Sequence, residues 1–339
     1  MSNILITGGS GFIGSNMISF LIKKNHQITN LDIKKNSNIF FNHNSNKFNY
    51  IKGNINNKKK LLQIFSKNKF DYVINFAAET HVDQSNYFPK KFFDSNVIGL
   101  LNLLECYNKF KKKNSKFIHI STDEVFGSLE KNSKSFTEKT SLKPRNIYSV
   151  SKASSDMLAF TYSNLHNLNL IVTNCCNNFG EYQHPEKLIP LTIIKCLKKE
   201  KIPIYGTGTN IREWIYVGDH CNAIYKLLKK GEKNQRYLLG SGQEKTNIEV
   251  VKKICEYFNL IEGDKYNYLK LIDYIQDRPL HDFRYSINNK KFNTIVKKFS
   301  YADFDKALIK TIKHYILNKN YYLSIYNKSN WFKQHYNNQ

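Results

Sequence analysis

Two short segments carry residues whose types and spacing can do chemistry. They are Ser121-Thr122-Asp123-Glu124-Val125-Phe126-Gly127 and Tyr148-Ser149-Val150-Ser151-Lys152. A tyrosine and a lysine four positions apart share one face of a helix. A free phenol has a pKa near ~10, and a cation one turn away favours the phenolate. Such a pair can take a proton from a sugar hydroxyl near neutral pH. The adjacent acids Asp123 and Glu124 follow a predicted strand and form a second acid/base couple. Hydride transfer from a hydroxyl requires only one couple, so the second points to a second reaction step.

The elements that must hold these residues follow from the hydropathy pattern. Residues 4–7 read as a strand and 15–24 as an amphipathic helix. A second strand at 27–31 ends at Asp32. Between the first strand and the helix lie Gly8, Gly11 and Gly14. Their spacing permits a tight turn and close backbone approach, with a helix N-terminus facing a pyrophosphate. Asp32 would accept hydrogen bonds from ribose hydroxyls and repel a 2′-phosphate, which argues NAD over NADP. Further strands are expected at 72–76, 117–121 and 170–173, and helices at 60–66, 91–108 and 148–164. This alternation predicts an α/β fold, a Rossmann-type doubly wound parallel sheet.

After residue 175 the pattern loosens. Pro185, Pro190, Pro203, Gly206 and Gly208 break the chain. A strand at 211–217 and helices at 220–230, 247–258 and 302–317 remain legible. We therefore expect a dinucleotide-binding domain over 1–175, with some later segments returning to it. Residues 176–339 would form mainly a smaller α/β substrate-binding domain.

Composition narrows the partners. The formal charge is +25 and the pI about 9.6, yet only five of the 52 basic residues are arginines. Base readout and bidentate phosphate binding favour arginine, and the lysines are scattered. No specific nucleic-acid binding is expected. No run of eighteen apolar residues appears, so no membrane span is expected. The N-terminus runs from a strand into glycines and does not read as a signal peptide. Six cysteines without a Cys-x-x-Cys pair suggest reduced, buried thiols and a cytoplasmic protein. No metal site is expected.

With these residues in hand, the chain resembles the nucleotide-sugar 4,6-dehydratases of the extended short-chain dehydrogenase/reductase superfamily. It looks most like those acting on dTDP-glucose. The matching segments span nearly the whole chain: residues 7–15, 76–83, 119–127, 148–156, 177–180, 185–190, 212–214 and 277–282. The resemblance implies that Tyr148 is the base on the glucose C4 hydroxyl and that Lys152 lowers its pKa and holds the nicotinamide ribose. Hydride would pass from C4 to NAD. Glu124 would take the C5 proton, now acidified by the ketone, while Asp123 protonates the departing C6 hydroxyl. Hydride would then return to C6. Thr122 would hydrogen-bond the sugar near O4.

The resemblance also implies binding roles. Phe12, Ile13, Asp32, Asn54, Ile55, Ala77, Ala78, Ser95 and Asn178 would line the cofactor with the three glycines. Thr80, Asn177, Lys187, Leu188, Tyr205, Arg212, Asn247, Arg278 and His281 would line the nucleotide sugar. A homodimer is implied, packed through the helices at 91–108 and 148–164. Some positions depart from the family pattern: Asn54 for Asp, Gln84 for Arg, Asn174 for Arg, Glu213 for Asp and Leu280 for Gly. None removes a catalytic group, but they leave dTDP-glucose and UDP-glucose both open as substrates. A UDP-sugar 4-epimerase or decarboxylase shares the glycines, Tyr148 and Lys152 but usually lacks the Asp-Glu pair. A non-catalytic basic protein with this fold is the remaining alternative.

Overall fold

The computed structural model describes residues 1–35, 46–263, 265–277, 281–297 and 299–328. Strand β1 (Asn3–Thr7) passes through Gly8 into helix α1 (Phe12–Lys23), and β2 (Gln27–Asp32) and β3 (Phe48–Lys52) follow. Helix α2 (Lys58–Lys67) starts at the Asn57 cap and precedes β4 (Tyr72–Asn75). The chain then runs through α3 (Val82–Tyr87), α4 (Pro89–Phe93), one π-helical turn (Asp94–Ile98) and α5 (Gly99–Phe110). Strand β5 (Lys116–Thr122) ends in a 3-10 turn over Asp123–Phe126. Helix α6 (Ile147–Leu165) and β6 (Leu170–Cys175) complete this half.

Beyond it come β7 (Asn177–Phe179), α7 (Leu188–Lys198), β8 (Ile202–Tyr205), β9 (Ile211–Tyr216), α8 (Val217–Lys230), β10 (Gln235–Leu239) and β11 (Glu244–Thr246). Helix α9 (Asn247–Glu262), β12 (Ile272–Ile275), α10 (Lys290–Val296), α11 (Phe304–Leu317) and α12 (Lys319–Lys328) follow.

Seven strands make one parallel sheet in the order β10-β6-β5-β4-β1-β2-β3. Strand alternation divides its two faces. Ile4, Ile6, Ile28, Ile74 and Ile118 pack into a core with Met17, Ile18 and Leu21 of α1 and Ile224 and Leu227 of α8. Leu5, Leu31, Val73 and Phe117 pack into a second core with α2 and α5. With both faces covered, these strands are apolar on both sides, as the doubly wound fold requires. The chain order reverses between β1 and β4. A ligand crevice forms at such a point, at the carboxyl ends of the strands.

A third core gathers Phe179, Ile193, Trp214, Ile254, Leu308 and Tyr315 around β9, α7, α9 and α11. Beside it stand the short sheets β11-β9-β7 and β12-β8.

Several elements differ from their predicted bounds. Helix α1 begins at Phe12, three residues early, because the glycine turn closes faster than its spacing suggested. The predicted helix at 91–108 is interrupted by the π-helical turn. The region after 175 is more ordered than the pattern implied. Its strands β7, β8, β11 and β12 have 3 or 4 residues each, too few to display alternation. Strand β10 went unrecognised, yet it pairs with β6 as the sheet's seventh strand. No helix among the described residues is long and apolar enough to cross a membrane. All six cysteines are buried and free.

Candidate active site

The glycine turn closes on itself before α1 starts. Gly8 adopts φ +71°, and the Gly11 amide donates to the Gly8 carbonyl at 3.1 Å. A Cβ on Gly14 would stand 2.5 Å from that carbonyl oxygen and 2.7 Å from Gly9 Cα. A Cβ on Gly8 would stand 2.5 Å from the Ala77 nitrogen. Helix α1 has no side-chain cap, so its first amides are available to a phosphate. Asp32 accepts from the Ser10 amide at 2.9 Å and the Lys34 amide at 3.1 Å, which fixes its carboxylate at the end of β2. This cradle fits a dinucleotide: Gly8, Gly11 and Gly14 could face its phosphates and Asp32 a ribose.

The neighbouring expected residues fall around the same crevice. Ala77 and Ala78 follow β4. Ile55 is buried against Gly99. Asn54 is held aside, its Oδ1 accepting from the Asn56 amide at 2.9 Å. Ser95 lies in the π-helical turn, a geometry that recurs at functional sites. Its neighbour Asn96, which sequence reasoning missed, binds the Glu79 amide (2.8 Å), the Glu79 carbonyl (3.1 Å) and Ser151 Oγ (2.9 Å). Asn96 thereby ties the segment after β4 to α6.

Helix α6 carries Tyr148 and Lys152. It opens with a reciprocal cap in which Asn146 Oδ1 accepts the Ser149 amide at 2.8 Å and Ser149 Oγ accepts the Asn146 amide at 3.2 Å. The Lys152 ammonium donates to the Ile120 carbonyl at 2.7 Å. Burial pulls its pKa down to about 8, with Asp156 and Cys175 opposing the shift. Burial, reinforced by Glu124, pushes the Tyr148 phenol's pKa well up, with Thr122 opposing the shift.

The two acids behave differently. Burial, then the charges of Glu124 and Glu213, raises Asp123 well above the carboxylate range. Its Oδ2 is buried without a hydrogen-bond partner. Burial also raises Glu124, but Lys187 and Arg212 pull it back. Carboxyls whose surroundings push them apart divide into an acid and a base. Here Asp123 is shifted further toward its protonated form than Glu124.

Glu124 opens into a cleft of about 290 Å³, also lined by Asn177, Asn178, Lys187, Leu188, Tyr205, Arg212, Asn247 and His281. Thr80 borders it, its carbonyl accepting from Lys187 Nζ at 3.3 Å. Arg278 and Leu280 lie outside the described residues. Arg212 was expected near a diphosphate. It also donates to the carbonyls of Ile211 (2.8 Å), Asp282 (2.9 Å) and Phe283 (3.2 Å), so it shapes the wall as well as its charge. Its guanidinium stacks on the Tyr285 ring at 4.4 Å.

Residues to which the sequence reading gave no role also line the cleft: His81, Arg145, Asn146, Glu186, Asp282 and Tyr285. Burial opposes ionisation of Glu186, but His184, Lys187 and His81 outweigh it and hold the carboxylate down to about 2. Glu186 sits inside the 185–190 segment, as His81 and Asp282 sit inside 76–83 and 277–282, and those segments were the available signal.

Fold and site define a dinucleotide-dependent enzyme of the short-chain dehydrogenase/reductase type, built to act on a sugar-sized ligand. The chain belongs to the family described as GDP-mannose 4,6 dehydratase, whose model matches residues 5–301. Its curated relatives include the dTDP-glucose 4,6-dehydratase of Salmonella typhimurium, 37% identical over 98% of each chain. Among solved structures, dTDP-glucose 4,6-dehydratase from Bacillus anthracis in complex with NAD has a TM-score of 0.84 at 38% identity, covering 96% of this chain and 100% of that one. The Streptomyces venezuelae enzyme of the same name, also with NAD bound, has a TM-score of 0.87 at 32% identity, covering 95% and 99%.

Proposed function

We propose that this chain converts dTDP-glucose to its 4-keto-6-deoxy derivative, as an NAD-dependent hydro-lyase. One observation carries the reading: Asp123, which burial shifts strongly toward its protonated form, adjoins Glu124, which lines the cleft and is pulled back by Lys187 and Arg212, with Tyr148 near enough to feel both charges. An epimerase needs only the tyrosine–lysine couple.

Bound NAD supplies a hydride acceptor that later gives the hydride back. Tyr148 takes the C4 hydroxyl proton, and the Lys152 ammonium stabilises the phenolate. A ketone at C4 acidifies the C5 hydrogen. Glu124 then removes that proton while Asp123 protonates the C6 hydroxyl as it leaves. Thr122, beside the phenol, orients O4. Lys187 and Arg212 draw the anionic diphosphate into the cleft.

The experiment is turnover of dTDP-glucose and UDP-glucose at matched concentrations, with product mass as readout. A product lighter by one water, formed faster from dTDP-glucose, supports the reading. A galactose-configured product of unchanged mass overturns it.

Residues 1–175 serve as the dinucleotide-binding part and 176–339 mainly as the substrate-binding part, with α8 and β10 returning to the first. A homodimer is supported by apolar side chains left exposed on adjoining helices: Phe88, Phe93, Ile98, Met157 and Leu165. Light scattering at two protein concentrations tests it. Buried free thiols support a cytoplasmic setting. A 4-keto-6-deoxy product suits a following epimerisation and reduction, as in rhamnose formation.

A further inference from the structure

A continuous row of buried polar side chains crosses the sheet beneath Lys152. Thr7 Oγ1 donates to Asn75 Oδ1 at 2.6 Å, and Asn75 Nδ2 meets His119 Nδ1 at 3.1 Å. These three residues are register partners on β1, β4 and β5. Because Thr7 occupies the Asn75 oxygen, the Asn75 amide nitrogen must donate to His119 Nδ1. The His119 proton therefore sits on Nε2, which faces Ser155 Oγ at 3.1 Å and Asp156 Oδ1 at 3.7 Å. Asp156 Oδ2 accepts from Asn174 Nδ2 at 3.0 Å and from Arg236 Nη1 at 2.9 Å. Asn174 is used twice more: Nδ2 donates to the Thr122 carbonyl at 2.8 Å, and Oδ1 accepts from Arg236 at 2.7 Å.

Asp156 is fully buried. A buried carboxylate is tolerated when paired and hydrogen-bonded, and β10 supplies the partner. Asp156 also stands one turn along α6 from Lys152, on the same face. It lines no part of the substrate cleft.

We propose that Asp156, clamped by Arg236 and Asn174, is a positioning residue whose fixed negative charge holds the Lys152 ammonium in its working form and place. This rests on the catalytic reading of Tyr148 and Lys152 given above. The groups around Lys152 leave that task to Asp156. On β6, burial pushes the Cys175 thiol up to about 12, so it stays neutral. On β5, burial together with Lys152 and Arg236 keeps the His119 imidazole neutral. On β10, Arg236 is a cation. On α6, burial raises the Tyr148 phenol's pKa, and its charged form is the base that the Lys152 ammonium itself stabilises. Against burial, the Asp156 carboxylate raises the Lys152 pKa, and more than Cys175 does.

The test compares Asp156→Asn with Arg236→Gln, because the proposal gives them opposite signs. Both are made with and without Asp123→Asn, which isolates the oxidation step from water loss. Bound nicotinamide absorbance after mixing with dTDP-glucose reads that step across pH. Lys152 must be cationic, so the step fails as pH rises through its pKa. In Asp156→Asn that alkaline limb should move down by roughly one unit or more, as for a charge lost about one helical turn away. In Arg236→Gln it should move up, because Asp156 is no longer neutralised. In both, KM for dTDP-glucose should stay within about twofold, since neither side chain lines the cleft. Limbs that do not move, or that move in the same direction, overturn the inference. If Asp156→Asn does not fold, the direction in Arg236→Gln decides alone, with Asp156→Glu expected to restore the wild-type limb. A wild-type chain inert toward dTDP-glucose overturns the functional reading instead.

Discussion

Asn146 and Glu124 are joined side chain to side chain: Asn146 Nδ2 stands 3.5 Å from Glu124 Oε2. The same Asn146 caps α6 through its Oδ1, bonded to the Ser149 amide at 2.8 Å. One residue thus holds both the start of the helix that carries Tyr148 and Lys152 and the Glu124 carboxylate. Asn146→Asp should keep the cap but place a like charge beside Glu124, raising its pKa. Glu124 must be ionised to take a proton, so the acidic limb of kcat should shift to higher pH with little change in Tm. Asn146→Ala should lose the cap, about 1 kcal/mol of stability, which thermal melts would register.

Tyr148→Phe should lower kcat by about 10²–10⁴-fold, the range for a lost general base. The phenyl ring keeps its packing against Phe92, 6.5 Å away, so the fold should survive. Glu124→Gln and Asp123→Asn should instead leave slow oxidation and stop water loss. Mixing enzyme with substrate would then give reduced nicotinamide and no dehydrated product. Full turnover in Glu124→Gln would remove Glu124 as the base.

Asp123 stores instability. Below its unfolded pKa near ~3.9 the carboxyl is protonated in both states and has no effect. As pH rises from there to the raised folded value, the unfolded chain gains the charge more readily and the fold loses stability. Asp123→Asn should therefore raise Tm by a few degrees at pH 8, with the gain disappearing near pH 4. An equal gain at both values would contradict this origin.

Gly14→Ala should abolish NAD retention. The added methyl would meet backbone at 2.5 Å and 2.7 Å, which no rotamer can relieve. Nucleotide released on denaturing the purified variant would be absent, and Tm should fall. Normal NAD content would mean the turn can open.

The dinucleotide half was legible because its strands are long enough, and buried enough, to show themselves. The strands expected at 4–7, 27–31 and 117–121 from their apolar runs form at 3–7, 27–32 and 116–122. The Tyr148 and Lys152 pair was legible by spacing, since four positions on a helix is a local fact. Glu186, Asp282, Tyr285 and Arg145 were not, because they meet only when separate loops close on the cleft. Asn174 was noted as a departure from the family pattern. Its partners Asp156 and Arg236 lie 18 and 62 positions away, so the cross-strand bond that employs it was invisible.

The pairing of β10 with β6 has a consequence for cutting the molecule. A fragment ending at Cys175 would leave β6 as a bare sheet margin, with its backbone amides and carbonyls unpaired. Its apolar face, Ile171 and Cys175, would lose the cover of α8. Such a margin recruits other chains. The amino-terminal half therefore does not come away as a soluble nucleotide-binding module. Proteolysis between the halves should precipitate the protein rather than divide it.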